Sequence, residues 1–213
     1  MFVPPTAEAI AEARKQLAAS DPALAVLEAV TPPFAWRVGL GGFPGLLKMV
    51  VQQQVSLASA AAIWARVEAG LPEMTPERVM GHDQAYLLSL GLSRPKARYA
   101  HAIAEAHLAG TCDFDALPGL PDDEAVAALT AITGVGRWTA EVYLMFTQGR
   151  MDMFPGGDVA LQEAMRWADR QEERPNERQA YRRAELWRPY RGVAAHLLWA
   201  CYGAVKRREI APF

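Results

Sequence analysis

The chain has 213 residues, 51% of them apolar, and its 22 Lys and Arg against 24 Asp and Glu leave a formal net charge of −2. That length suits one large domain or two small lobes, and that apolar share excludes wholesale disorder. The charge excludes a nucleic-acid partner held by bulk basicity, so any such contact has to come from a local basic face.

No apolar run is long enough to cross a bilayer, and the opening MFVPPTAEAIAEARKQL lacks the basic flank and long apolar stretch of a signal peptide. Cys112 and Cys201 lie far apart without a CxxC partner. They cannot build an iron–sulfur cluster or a Cys-rich zinc site, and buried thiols in a reducing compartment are expected.

Taken in chain order, the sequence predicts helix after helix. Thr6 caps a first helix through AEAIAEARKQL, and Asp21-Pro22 opens a second, PALAVLEAV. TPPFAWRVGLGGFPG, rich in Pro and Gly, reads as a bent connector. GLLKMVVQQQVSLASAAAIWARVEAG has helical spacing over about six turns, divided into two helices near residues 54–56. Thr75-Pro76 and Ser93-Arg94-Pro95 are further starts, the second opening KARYAHAIAEAHLAG. Asp122 or Asp123 caps EAVAALTAI, Asp158 caps VALQEAMRWA, and Asn176 caps ERQAYRRAELW. GVAAHLLWACYGAVKRRE is a last apolar helix with a basic tail. No period-two strand pattern and no internal repeat stands out, so the expected class is all-α with roughly ten helices.

The most informative segment is LTAITGVGRWTAEVYLMF, residues 129–146. One helix ends at Ile132, Thr133-Gly134-Val135-Gly136 follows, and another helix begins at once. Two glycines around one apolar residue allow a tight turn and bare backbone close to a neighbour. The amides opening the second helix, backed by the positive end of its dipole, suit a phosphate. A plain helix–helix connection has the same GxG, so these residues alone leave both readings open.

ITGVGRWTA followed by DMFPGGDVALQEA resembles the helix–hairpin–helix (HhH-GPD) DNA glycosylase superfamily, with its Gly/Pro-rich loop and an aspartate 20 residues after the tryptophan. VVQQQVSLASAAAIWARV, GLSRPKARYAHAIA and WRPYRGVAAHLLW are similar, in order, to segments of its alkylpurine branch of 3-methyladenine glycosylase II type. The resemblance covers most of residues 40–203 and leaves no room for that type's extra N-terminal domain. It implies a single two-lobed all-α unit over residues 1–213 with its active site in the cleft between lobes. The lobes are expected at 40–135 and at 1–39 with 136–213, the hairpin motif at about 122–148. The implied activity is base excision of alkylated purines of the 3-methyladenine and 7-methylguanine type, by base flipping, leaving an abasic site without strand cleavage. The implied partner is double-stranded DNA containing damaged bases, met by a monomer in the cytoplasm, nucleoid-associated in a bacterium. Glycosylases for uracil or mismatched thymine, a non-catalytic DNA-binding hairpin module and an all-α scaffold are the alternatives.

By the resemblance Asp158 is the catalytic carboxylate, facing a sugar that develops oxocarbenium character, although its local sequence suits a helix cap equally. Trp138, Trp199 and Gln53 match base-pocket positions, where aromatic faces favour a cationic base. Trp36 and Tyr143 are further aromatic candidates. Gln54, Thr133, Gly134, Val135, Gly136 and Arg137 are expected at the DNA. Strand-nicking relatives carry a lysine nucleophile where this chain has Trp138, so a monofunctional enzyme is expected. No cofactor is expected; the resemblance allows a structural Na⁺ or K⁺ held by the main-chain oxygens of Thr130, Ile132 and Val135. One departure is Ala164, where the branch has a basic residue, with Arg166 two positions on. Lys48, Arg94, Lys96 and Arg98 are candidates for a basic face, and His82, His101, His107 and His196 show no metal-ligand spacing.

Overall fold

A computed structural model describes residues 4–211. Among the described residues every regular element is helical: twelve α-helices and two short 3-10 turns. The chain divides into two compact units, one of Gly39–Gln148 and one formed by the chain up to Val38 together with the chain from Gly149.

The middle unit holds α3 (Gly42–Gln52), α4 (Leu57–Gly70), α5 (Pro76–Met80), α6 (Gln84–Ser89), α7 (Arg94–Leu108), α8 (Asp122–Thr130) and α9 (Arg137–Gln148), with a 3-10 turn at Leu117–Gly119. α3 is its hub and packs on α4, α7 and α9, while α5 and α6 pack on α7. Leu46, Leu47, Val50 and Val51 are buried on that hub. Each such side chain contributes about 2 kcal/mol when removed from water. α3 starts inside the connector expected from its glycines and prolines. α6, too short to show a helical period, is capped by Asp83, whose carboxylate accepts the Tyr86 N–H at 2.8 Å. At α8 the cap is Pro121, and Asp122 and Asp123 lie in the first turn, where they complement the helix dipole instead.

The terminal unit holds α1 (Ala7–Ser20), α2 (Pro22–Val30), α10 (Val159–Ala168), α11 (Glu177–Ala184) and α12 (Arg191–Lys206), with a 3-10 turn at Glu185–Trp187. α12, apolar on most of its surface, is the hub against which α1, α2 and α10 pack. Asp21 joins its two sequence segments: one oxygen caps α2 at the Ala23 N–H, 3.0 Å, and the other accepts the Trp187 indole N–H at 2.7 Å. Arg183 adds ion pairs to Asp21 at 2.6 Å and to Asp169 at 2.9 Å.

The observed division differs from the expected one over residues 136–148. α9 belongs with the middle unit because its buried face, including Tyr143 and Leu144, packs on α3 and α8. No helix among the described residues is long and apolar enough to cross a membrane. Both cysteines are buried and unpaired, and burial pushes each thiol up to about 11.

Candidate active site

In the middle unit, residues 131–136 connect α8 to α9. Gly134 has φ +93, and a Cβ there would lie 2.3 Å from the Tyr99 ring, so both backbone and packing demand glycine. The Val135 N–H closes the turn on the Ile132 carbonyl at 3.1 Å, and the Val135 side chain is buried. Gly136 is the opposite case: nothing lies within 4 Å of where its Cβ would be and the residue is exposed, so a ligand can approach its main chain closely. Thr133 is exposed on the same turn.

Arg137 is exposed but engaged. Its Nε donates to Glu141 at 2.9 Å, and Glu141 is buried, an ion pair that sequence reading did not anticipate. Trp138 is 40% exposed on the first turn of α9, unusual for so large an indole. Gln53 lies at the end of α3, where its Nε2 donates to Thr139 Oγ1 at 3.0 Å, one residue past Trp138. The next residue, Gln54, is exposed with φ 55, a left-handed conformation uncommon for a residue with a Cβ. Tyr143 is core: its hydroxyl donates to the Gly42 carbonyl at 3.1 Å, its ring meets Phe114, and burial pushes its pKa up.

In the terminal unit, Asp158 ends the loop 150–158 and caps α10. Its Oδ1 accepts the Ala160 N–H at 2.9 Å, the Leu161 N–H at 3.0 Å and the Trp199 indole N–H at 3.2 Å. The loop beneath is fixed. A Cβ at Gly156 would lie 3.0 Å from the Tyr181 ring, a tight contact, and the Gly156 carbonyl accepts the Gln162 amide at 2.8 Å. Arg191 grips Asp152 through two hydrogen bonds of 3.0 and 2.9 Å, and the Gly192 N–H donates to the Met151 carbonyl at 2.7 Å, tying the start of α12 to this loop.

Trp199 is 8% exposed, so it is less available than Trp138 as an open wall. The Arg37 guanidinium carbon lies 5.1 Å from its ring centroid, and His196 meets it edge-on at 5.8 Å. Its N–H goes to Asp158, so it orients the carboxylate. Burial lowers the Arg37 pKa, and the negative charge of Asp158 opposes that shift. His196 in turn stacks on Trp36, with ring centroids 4.0 Å apart. A cavity of about 290 Å³ opens here, lined by Pro33, Phe34, Arg37, His196, Trp199 and Arg207 among others.

His196 has one consistent protonation. Its Nε2 lies 3.2 Å from the Arg37 backbone N–H and accepts from it, so Nδ1 carries the proton and donates to the Gly192 carbonyl at 2.8 Å. The ring is neutral, and burial, assisted by the Arg37 charge, lowers its pKa to about 4. Ala164 is fully buried, and Arg166 pairs with Glu163 at 2.8 Å. His107, Asp113 and Asp115 bring ligand atoms within 4.8 Å of one another, but His107 Nδ1 already accepts the Phe114 N–H at 3.3 Å.

A glycine turn thus opens α9 in the middle unit, and in the terminal unit a carboxylate is held at a helix cap by an indole. The model of the HhH-GPD superfamily base excision DNA repair protein matches residues 47–189, and the chain belongs to this superfamily. Among its relatives, DNA-3-methyladenine glycosylase 1 of Schizosaccharomyces pombe is 30% identical over 160 residues, 72% of this chain and 69% of that protein. The crystal structure of DNA-3-methyladenine glycosidase from Bacillus halodurans superposes with a TM-score of 0.83 at 30% identity, covering 92% of this chain and 91% of the other. The S. pombe 3-methyladenine DNA glycosylase in complex with abasic DNA gives 0.77 at 25% identity, covering 95% and 98%.

Proposed function

We propose that this protein is a monofunctional DNA glycosylase that hydrolyses the N-glycosidic bond of alkylated purines in duplex DNA and leaves an abasic site. The observation that carries the reading is the Asp158 carboxylate, held by two backbone amides and the Trp199 indole in a member of this superfamily. As the bond to the base breaks, the sugar gains positive charge, and a carboxylate of fixed orientation stabilises it without reorganising.

The target nucleotide has to leave the stack first. Trp138, 40% exposed, is an electron-rich indole at the surface, and an alkylated purine cation gains most from stacking on such a ring. The amides of Gly136 and its neighbours, with the exposed edge of Arg137, suit a DNA phosphate. A monovalent cation on the main-chain oxygens of Thr130, Ile132 and Val135 would draw on neutral carbonyl donors and help orient those amides. Trp138 is no amine nucleophile, so attack falls to water and the strand stays intact. The reading has the enzyme act as a monomer on chromosomal DNA in the cytoplasm.

The test is base release from methylated duplex DNA by the native protein and by Asp158→Asn. Loss of at least about a hundredfold in the variant, with duplex binding kept, is the expected result. Full activity in the variant refutes the assignment of Asp158. Release of uracil but of no methylated purine refutes the substrate class. A borohydride-trapped DNA adduct refutes the monofunctional mechanism.

A further inference from the structure

Lys96, at the start of α7, has the charge of a DNA contact but not the geometry of one. Its Nζ donates to the main-chain oxygens of Val51 at 2.8 Å and Gln53 at 2.7 Å. These carbonyls close α3, where a helix leaves backbone oxygens short of partners and concentrates the negative end of its dipole. The ammonium is partly withdrawn from water, which lowers its pKa.

The chain just beyond that anchor is strained. Gln54 adopts φ 55, Val55 is exposed, and Leu57, the first residue of α4, is 91% exposed. A left-handed residue with a Cβ persists at a surface when its surroundings hold it there. Two fastenings do so: Lys96 grips the main chain before Gln54, and the Gln53 side chain is tied to the buried Thr139 Oγ1 on α9. The exposed Gln54 thus sits just past a main chain held by both fastenings.

We propose that Lys96 is a positioning residue that locks the 53–55 turn in its left-handed form, so that Gln54 meets the duplex in a fixed orientation, and that Lys96 makes no phosphate contact of its own. The inference rests on the reading of the protein as a duplex-DNA glycosylase.

The test is affinity for a duplex carrying a tetrahydrofuran abasic analogue, measured across a salt series for native protein, Lys96→Met, Gln54→Ala and the double variant. Lys96→Met is expected to weaken binding about tenfold with the slope of log affinity against log salt unchanged. The double variant is expected to bind no more weakly than the weaker single one, because both act through the same turn. A slope reduced by about one means that Lys96 contacts a phosphate, and this overturns the inference. Additive losses in the double variant overturn it as well. Lys96→Arg gives a second reading if the Met variant fails to fold. A guanidinium serves a phosphate at least as well as an ammonium, so full affinity in Lys96→Arg refutes positioning and a several-fold loss supports it. Native protein that binds no duplex refutes the glycosylase reading itself, and the inference with it.

Discussion

His196 allows a quantitative prediction about acid stability. The imidazole is 3% exposed, and its two nitrogens are committed to opposite roles, one donating to Gly192 and one accepting from Arg37. Protonation replaces the acceptor with a second donor facing an N–H, in a site already bearing the Arg37 charge. The ring's pKa accordingly falls from the ordinary 6.5 to about 4. At about 1.4 kcal/mol per pH unit, that difference corresponds to about 3 kcal/mol of folding free energy. Because the folded value is the lower one, the contribution is whole above pH 6.5, where the ring is neutral folded or unfolded. It shrinks as pH falls and the unfolded chain takes up the proton first, with about 2 kcal/mol gone by pH 5 and nearly all by pH 4. Urea unfolding at pH 7 and pH 5 measures this when native protein is compared with His196→Gln, which has no proton to bind there. The native protein should lose about 2 kcal/mol more than the variant between the two pH values. An NMR titration of the ring checks the cause independently. A folded-state midpoint above 6 refutes the reasoning.

Two further outcomes follow from the hairpin. Gly134→Ala forces a side chain into a left-handed backbone and into the Tyr99 ring, and should destabilise the protein by about 3 kcal/mol in urea unfolding; a change below about 1 kcal/mol would show that the turn relaxes freely. Trp138→Ala, at a half-exposed position, should leave stability within about 1 kcal/mol. It should slow release of a cationic methylated purine by about ten- to a hundredfold, with a smaller loss for a neutral base in parallel assays.

What the sequence disclosed and what it hid follow the range of the interactions involved. The helix starts were legible because a cap acts over three residues: Thr6, Asp21, Thr75, Asp158 and Asn176 all accept the amide their spacing predicts. Gly134 was legible for the same reason, its conformation being a local demand. The partners of those residues were not. That Tyr99 packs under Gly134, that Gln162 fastens the loop before Asp158, and that Trp199 spends its N–H on Asp158 are contacts between segments with no common pattern. The partners of charged side chains were hidden too: Lys96 serves two helix-end carbonyls, and the exposed Arg137 pairs with a buried glutamate. The boundary expected at 135 was displaced to 148 because the buried face of α9 decides where that helix packs.

Because Asp158 also caps α10, few residues can replace it without a second effect. Alanine removes the α10 cap along with the carboxylate, at about 1 kcal/mol, and glutamate has the charge but sets it one methylene farther out. Serine and threonine keep a capping oxygen and lose the charge, but they are shorter and leave the Trp199 indole N–H without its acceptor. Asparagine alone keeps the cap, the length and an oxygen for the indole while discarding the negative charge. The separation of folding from chemistry at this position thus comes down to a single isosteric exchange, and variants found by random mutagenesis here should more often be unstable and inactive together than inactive alone.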